Sequence, residues 1–246
     1  MKLMRHLIRK LLTVFLFTVF ITSNIYCQIY NFPVKPGSPE WRRFQSHDEM
    51  VRNCQIPDSI ISSMTTKDLL DSYLNYPLIM DMLAYDNLKD GFEKMNKTVN
   101  CFQTLLKRED VGKILIEKYK TMKVVKDLND TTSSKVGDYT FIFSSMELLL
   151  SKDEILKKLN QSDKLSLIKN VMQKYETKML HKSIHGPLGQ QTNLYLTAKI
   201  MNFMGNNEWD LYVKSNNDAK NFIENMRISK PELLEVIKLK TKEFIK

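Results

Sequence analysis

The sequence predicts an all-α fold, an irregular array of helical hairpins, solenoid-like, with about eight to ten helices. Three observations lead there. Ser or Thr followed three residues later by an acid stands ahead of several apolar runs. Apolar residues recur at three- and four-residue spacing. Only one segment, Tyr139–Phe143, has the aromatic density of a strand, and it runs directly into Met146–Leu150.

The first observation is a capping signal, in which a hydroxyl and an acid satisfy free backbone N–H groups at a helix start. It occurs at Ser46–Glu49, Ser151–Glu154 and Ser229–Glu232, and with the shorter Asp at Thr65–Asp68. The second marks one face of a helix. Leu165, Ile168, Val171, Met172 and Tyr175 share a face, with Lys164, Lys169, Gln173 and Lys174 on the other. Leu233, Val236, Ile237, Phe244 and Ile245 repeat the pattern against Lys230, Glu235, Lys238 and Lys242. Gly186-Pro187 and Gly205-Asn206-Asn207 read as loops between these segments. The spacings from Thr65 to Ser151 to Ser229, 86 and 78 residues, are too uneven for a repeat family.

Residues 1–27 read as a signal peptide. Lys2, Arg5, Arg9 and Lys10 precede the apolar run Leu11–Ile21, and Thr22, Ser23 and Asn24 follow it. A spanning anchor needs about 20 apolar residues, more than this run supplies without Leu7 and Ile8. Cleavage after Cys27 or after Ser23 puts a small residue at the cut. A lipidated Cys27 is the third ending, although bulky Tyr26 fits a lipid-attachment motif poorly. Membrane attachment is expected only in that case. The expected location is therefore periplasmic or extracellular.

Three of the seven prolines fall between Pro33 and Pro39, so residues 28–45 read as an extended lead and 46–246 as a single α-helical domain. Removing the four basic residues of 1–27 from the total of 37 leaves 33 against 28 acidic, a net of +5. The lysines are dispersed among acids, without the clustered basic face of a nucleic-acid binder, so no nucleic-acid partner is expected. Cys54 and Cys101 could close a loop in an oxidising compartment, but both lie in helical patterns that suit a small buried thiol.

No motif here carries catalysis. His181 and His185 have helical metal-ligand spacing, but Lys182 stands where a zinc protease places its Glu, and two solvent-facing histidines at a helix end are expected instead. Asp86–Gly91 begins like a calcium loop and then offers Leu88 and Lys97 at ligand positions. No cofactor and no metal are expected. The most unusual local composition is Tyr73-Leu74-Asn75-Tyr76-Pro77-Leu78 with Asp81 and Tyr85. Tyr73, Asn75, Tyr76, Asp81 and Tyr85 form the candidate ligand or partner surface, because aromatic faces stack on ligands while amides orient them. The competing structural reading packs Tyr73 and Tyr76 at a helix corner, with Asn75 bonding the turn.

Several segments resemble a group of uncharacterised exported bacterial helical proteins. They are Lys35-Pro36-Gly37-Ser38-Pro39-Glu40-Trp41, Gln55-Ile56-Pro57, Met64-Thr65-Thr66-Lys67-Asp68-Leu69, Leu74-Asn75-Tyr76-Pro77-Leu78 and Leu105-Leu106-Lys107-Arg108. They span about a third of the chain and thin out beyond residue 125. The resemblance implies export and a bacterial origin, and it transfers no catalytic residue. The expected function is thus a non-enzymatic interaction protein of the envelope or exterior, with a protein or peptide as partner. Two alternatives stand beside it. One is an envelope enzyme without a short motif, using acids such as Asp81 or Glu93. The other is a membrane-surface module using the Lys-rich C-terminal helix.

Overall fold

The computed structural model of the protein describes residues 29–127, 133–205 and 207–246. The signal peptide expected at 1–27, with Cys27, lies outside them. The described residues form helices and connections, with no strand among them. Tyr139–Phe143 is helical, as the run into Met146–Leu150 requires.

The α-helices are α1 (His47–Asn53), α2 (Asp58–Ser63), α3 (Thr66–Leu74), α4 (Leu88–Asn96), α5 (Asn100–Lys107), α6 (Val111–Thr121), α7 (Ser133–Leu150), α8 (Asp153–Lys158), α9 (Gln161–Leu180), α10 (Lys182–Met204), α11 (Asn207–Ser215), α12 (Asn217–Asn225) and α13 (Glu232–Phe244). Short 3-10 helices lie at Trp41–Arg43 and Ile79–Ala84. Thirteen α-helices among the described residues exceed the eight to ten expected. The excess comes from short helices such as α2 and α8, six residues each, which are too brief to show a full apolar period.

Two of the four expected caps form. The Ser46 hydroxyl accepts from Glu49 N–H at 3.2 Å, and Glu49 reaches back to Gln45 N–H at 2.8 Å. Thr65 accepts from Asp68 N–H at 3.1 Å and donates to the Asp68 carboxylate at 2.7 Å. Ser151 instead closes α7, donating to Leu148 O at 2.7 Å, because that helix runs to Leu150 and its last carbonyls need donors. Ser229 lies outside α13, which starts after Pro231 with no side-chain cap. Asparagine supplies the other caps: Asn87, Asn160 and Asn216 accept from Asp90, Asp163 and Ala219 N–H.

One contiguous apolar core extends from Phe32 to Ile237. The lead before residue 46 carries turns and the Trp41–Arg43 3-10 helix, and it is docked: Phe32 is buried edge-on to Tyr76, and Tyr30 N–H donates to Ser72 Oγ at 2.8 Å. The Ile79–Ala84 turn lies against α4 at Gly91, where a Cβ would stand 2.0 Å from the Met82 carbonyl oxygen. Helix α10 is central. It packs on α9, α7 and α13, and also touches α8, α11 and α12. It bends at Gly186, whose φ of 56° no helix allows, and ends at left-handed Gly205. Gly205 matches an expected break, whereas Gly186-Pro187, expected as a loop, kinks one helical element instead.

Two expectations about polar faces change. On α9, Leu165 is partly exposed while Lys164 and Lys174 are buried, Lys174 because the 122–127 segment covers it and accepts its ammonium at Met122 O. His185 is also buried rather than solvent-facing. Its Nε2–H donates to Val125 O at 2.8 Å, which pins the same segment to the start of α10.

Candidate functional site

The five residues of the expected partner surface divide. Tyr73 is fully buried on α3, 5.2 Å from the Phe102 ring, and Tyr76 is 2% exposed. Burial pushes both phenol groups well above their ordinary range. Asn75 terminates α3, its side-chain amide donating to Asp71 O at 2.7 Å. Asp81 contacts His47 Nε2 at 2.6 Å, and Tyr85 is 46% exposed. The edge of Tyr76, Asp81 and Tyr85 share a shallow hollow of about 290 Å³ with His47 and Arg52. Tyr73 and Asn75 do not reach it.

A larger concavity lies elsewhere, where α4, α10, α11 and α12 meet the α7–α8 junction. It has about 710 Å³ of space, within the range of about 300–1,000 Å³ usual for ligand sites. Its floor is apolar and buried, formed by Phe92, Leu148 and Tyr195. Tyr195 stands edge-on to Phe222, and burial raises its phenol pKa. The walls are charged. Lys152 Nζ lies 3.1 Å from both Glu93 carboxylate oxygens and 3.9 Å from Glu154. Lys199 contacts Asp153 at 2.5 Å. Lys89, Lys214 and Lys220 line the same cleft without a carboxylate partner among the described residues. Glu93 and Asp81, the two acids an enzyme reading would use, occupy different concavities.

A polar cluster sits deep between α6, α7, α9 and α10. Glu147 is fully buried and Lys178 is 1% exposed. One Glu147 oxygen accepts from Lys178 at 2.9 Å, Tyr119 at 2.9 Å and Asn193 at 2.7 Å, and the other from Thr192 at 2.5 Å. Lys178 also donates to Gly189 O at 3.0 Å and lies 4.4 Å from the centre of the Phe143 ring. Burial lowers the Lys178 pKa and the neighbouring carboxylate opposes that fall. The Glu147 carboxylate is engaged on both oxygens, Asn193 Oδ1 is buried without a hydrogen-bond partner, and the bonds tie α6, α7, α9 and α10 together. A lone acid inside the apolar run Phe141–Leu150 was the sequence signal for it.

No protein-family model, curated protein or solved structure matches this chain. Function must therefore be argued from the geometry. Among the described residues, no group of three His, Cys, Asp or Glu side chains is placed to hold a metal, and no helix is long and apolar enough to cross a membrane.

Proposed function

We propose that the chain is an exported, non-enzymatic helical protein of the bacterial envelope or exterior that receives a protein segment or peptide in the 710 Å³ cleft. The observation that carries this reading is how the cleft is furnished. Its carboxylates Glu93 and Asp153 are held by lysines, its floor offers aromatic and aliphatic surface, and its rim carries the cations Lys89, Lys214 and Lys220 beside one acid, Glu224, that has no ion pair among the described residues. A buried apolar floor inside a charged rim is the usual anatomy of a protein-recognition patch. The basic, apolar and polar order of residues 1–27 supports export, as does the resemblance of residues 35–108 to exported bacterial proteins. A solenoid-like stacking of the hairpins would give a partner a long groove. The central position of α10 favours a short cleft instead.

The test is site-specific photocrosslinking. A photoreactive residue in place of exposed Asn202, at the cleft, should capture a discrete protein from an envelope extract, and the same residue in place of Leu180, outside it, should not. Equal capture at both positions, or none at 202, would sink the proposal.

A further inference from the structure

A third concavity, of about 650 Å³, lies between the 122–127 segment and α9. Four lysines line it, Lys120, Lys123, Lys126 and Lys174, and Asp127 is its one acid. None of the four ammonium groups has a carboxylate within 4.0 Å among the described residues. Three of them are exposed and hydrated, and such lysines alone are an ordinary surface. Lys174 is different. It is 8% exposed, and its ammonium is satisfied by Met122 O at 2.5 Å and by the faces of Tyr119 and Phe143, 5.2 and 5.6 Å away. Burial lowers its pKa, only partly opposed by the more distant Glu147. A buried cation without a bonded counter-ion is costly, and here it is held at the wall of a groove that carries three more positive charges.

The groove also presents an acceptor. Asn170 Oδ1 is buried against it with no hydrogen-bond partner, a condition that a ligand hydroxyl would relieve. Gln173 and Thr177 complete a polar wall along the same side of α9. Lysines for oxyanions and an amide oxygen for a hydroxyl define a ligand with both groups.

We infer that this groove is a binding site for a sugar carrying phosphate or sulfate groups, separate from the cleft proposed for a protein partner. The oxyanions would sit among Lys120, Lys123, Lys126 and Lys174, and a ring hydroxyl would donate to Asn170. The site shares no residue with the hollow at Tyr85 or with the 710 Å³ cleft.

Isothermal titration of the purified protein with a doubly sulfated disaccharide and with a sugar bisphosphate tests this and separates the two sources of the charge. At least one should bind saturably, and at least tenfold more tightly than inorganic phosphate or the uncharged sugar. The triple substitution Lys120→Gln, Lys123→Gln and Lys126→Gln, all at exposed positions, should weaken that binding at least tenfold, and Lys174→Met should weaken it independently. The matched change of three charges at the other cleft, Lys89→Gln, Lys214→Gln and Lys220→Gln, should leave it unchanged. Equal weakening by both triple variants, or equally tight binding of a short DNA duplex, would reduce the groove to general electrostatic attraction and overturn the inference. So would the absence of binding by either sugar.

Discussion

Glu147 and Lys178 meet at 2.9 Å with both side chains sealed from water, one on α7 and one on α9. A buried pair adds little over a well-packed apolar pair, but breaking it leaves an uncompensated charge at a cost of about 3–5 kcal/mol. Lys178→Met alone should therefore destabilise the protein by that order in urea unfolding. The double variant Glu147→Gln with Lys178→Met removes both charges and keeps an acceptor for Tyr119 and Asn193. It should recover more than half of the loss. A double variant as unstable as the single one would show that the cost lies in packing against Phe143 rather than in the unpaired charge.

A pH dependence follows from His185. Burial lowers its pKa from the ordinary value of 6.5, and Lys178 and His181 add to the fall. The carboxylate of Glu147 and the bond to Val125 O oppose it. The folded chain then keeps a neutral ring at pH values where the unfolded chain takes up a proton, so stability rises with pH across that window. Melting temperature should be level above pH 6.5 and fall as the pH drops from there through the lowered folded value. The variant His185→Gln retains a donor for Val125 O and should flatten that fall. An unchanged slope in the variant would assign the acid sensitivity to other groups.

Cys54 and Cys101 are both free and buried. Burial raises their pKa values to about 11 and about 12, with Asp81 adding to the rise at Cys54. The thiolate is the reactive form, so at pH 8 neither residue should react with a thiol reagent in the folded protein. Both should label within minutes in denaturant. Rapid labelling of Cys54 in the native state would mean that the α1–α2 connection opens readily.

What could be read from the sequence was set by distance along the chain. Helical class was legible because periodicity and caps are local, as at Ser46 and Thr65. Six-residue helices hold less than two turns and show no full apolar period, and the caps at Asn87, Asn160 and Asn216 carry an amide where the capping-box pattern has a hydroxyl. Lys174 reads as part of a solvated face until the 122–127 segment covers it, a tertiary event that a helical projection of α9 does not contain. The 710 Å³ cleft brings Phe92, Leu148, Tyr195 and Ile223 together from across some 130 positions of the chain. No local motif marks such an assembly.

Tyr76 and Tyr85 belong to one unusual segment of the sequence, and the structure gives them opposite surroundings. Tyr76 is 2% exposed against Phe32, whereas Tyr85 is 46% exposed at the rim of the small hollow. Tyr76→Ala deletes a buried ring and should cost about 3–5 kcal/mol, as aromatic truncations in cores do. That is a large share of a typical domain stability of about 5–15 kcal/mol, so the melting temperature should fall clearly. Phe32 would lose its edge contact as well, and the lead before residue 46 should become more open to proteolysis. Tyr85→Ala removes a ring that already faces water and should leave both readouts near those of the parent. The pair can be compared by thermal melting and limited trypsin digestion, since Lys35, Arg42 and Arg43 provide cleavage sites within the lead. A Tyr76→Ala protein that melts like the parent would contradict its place in the core. A Tyr85→Ala protein that keeps its stability but loses the crosslinked partner would move the functional site from the large cleft to the hollow beside His47 and Asp81.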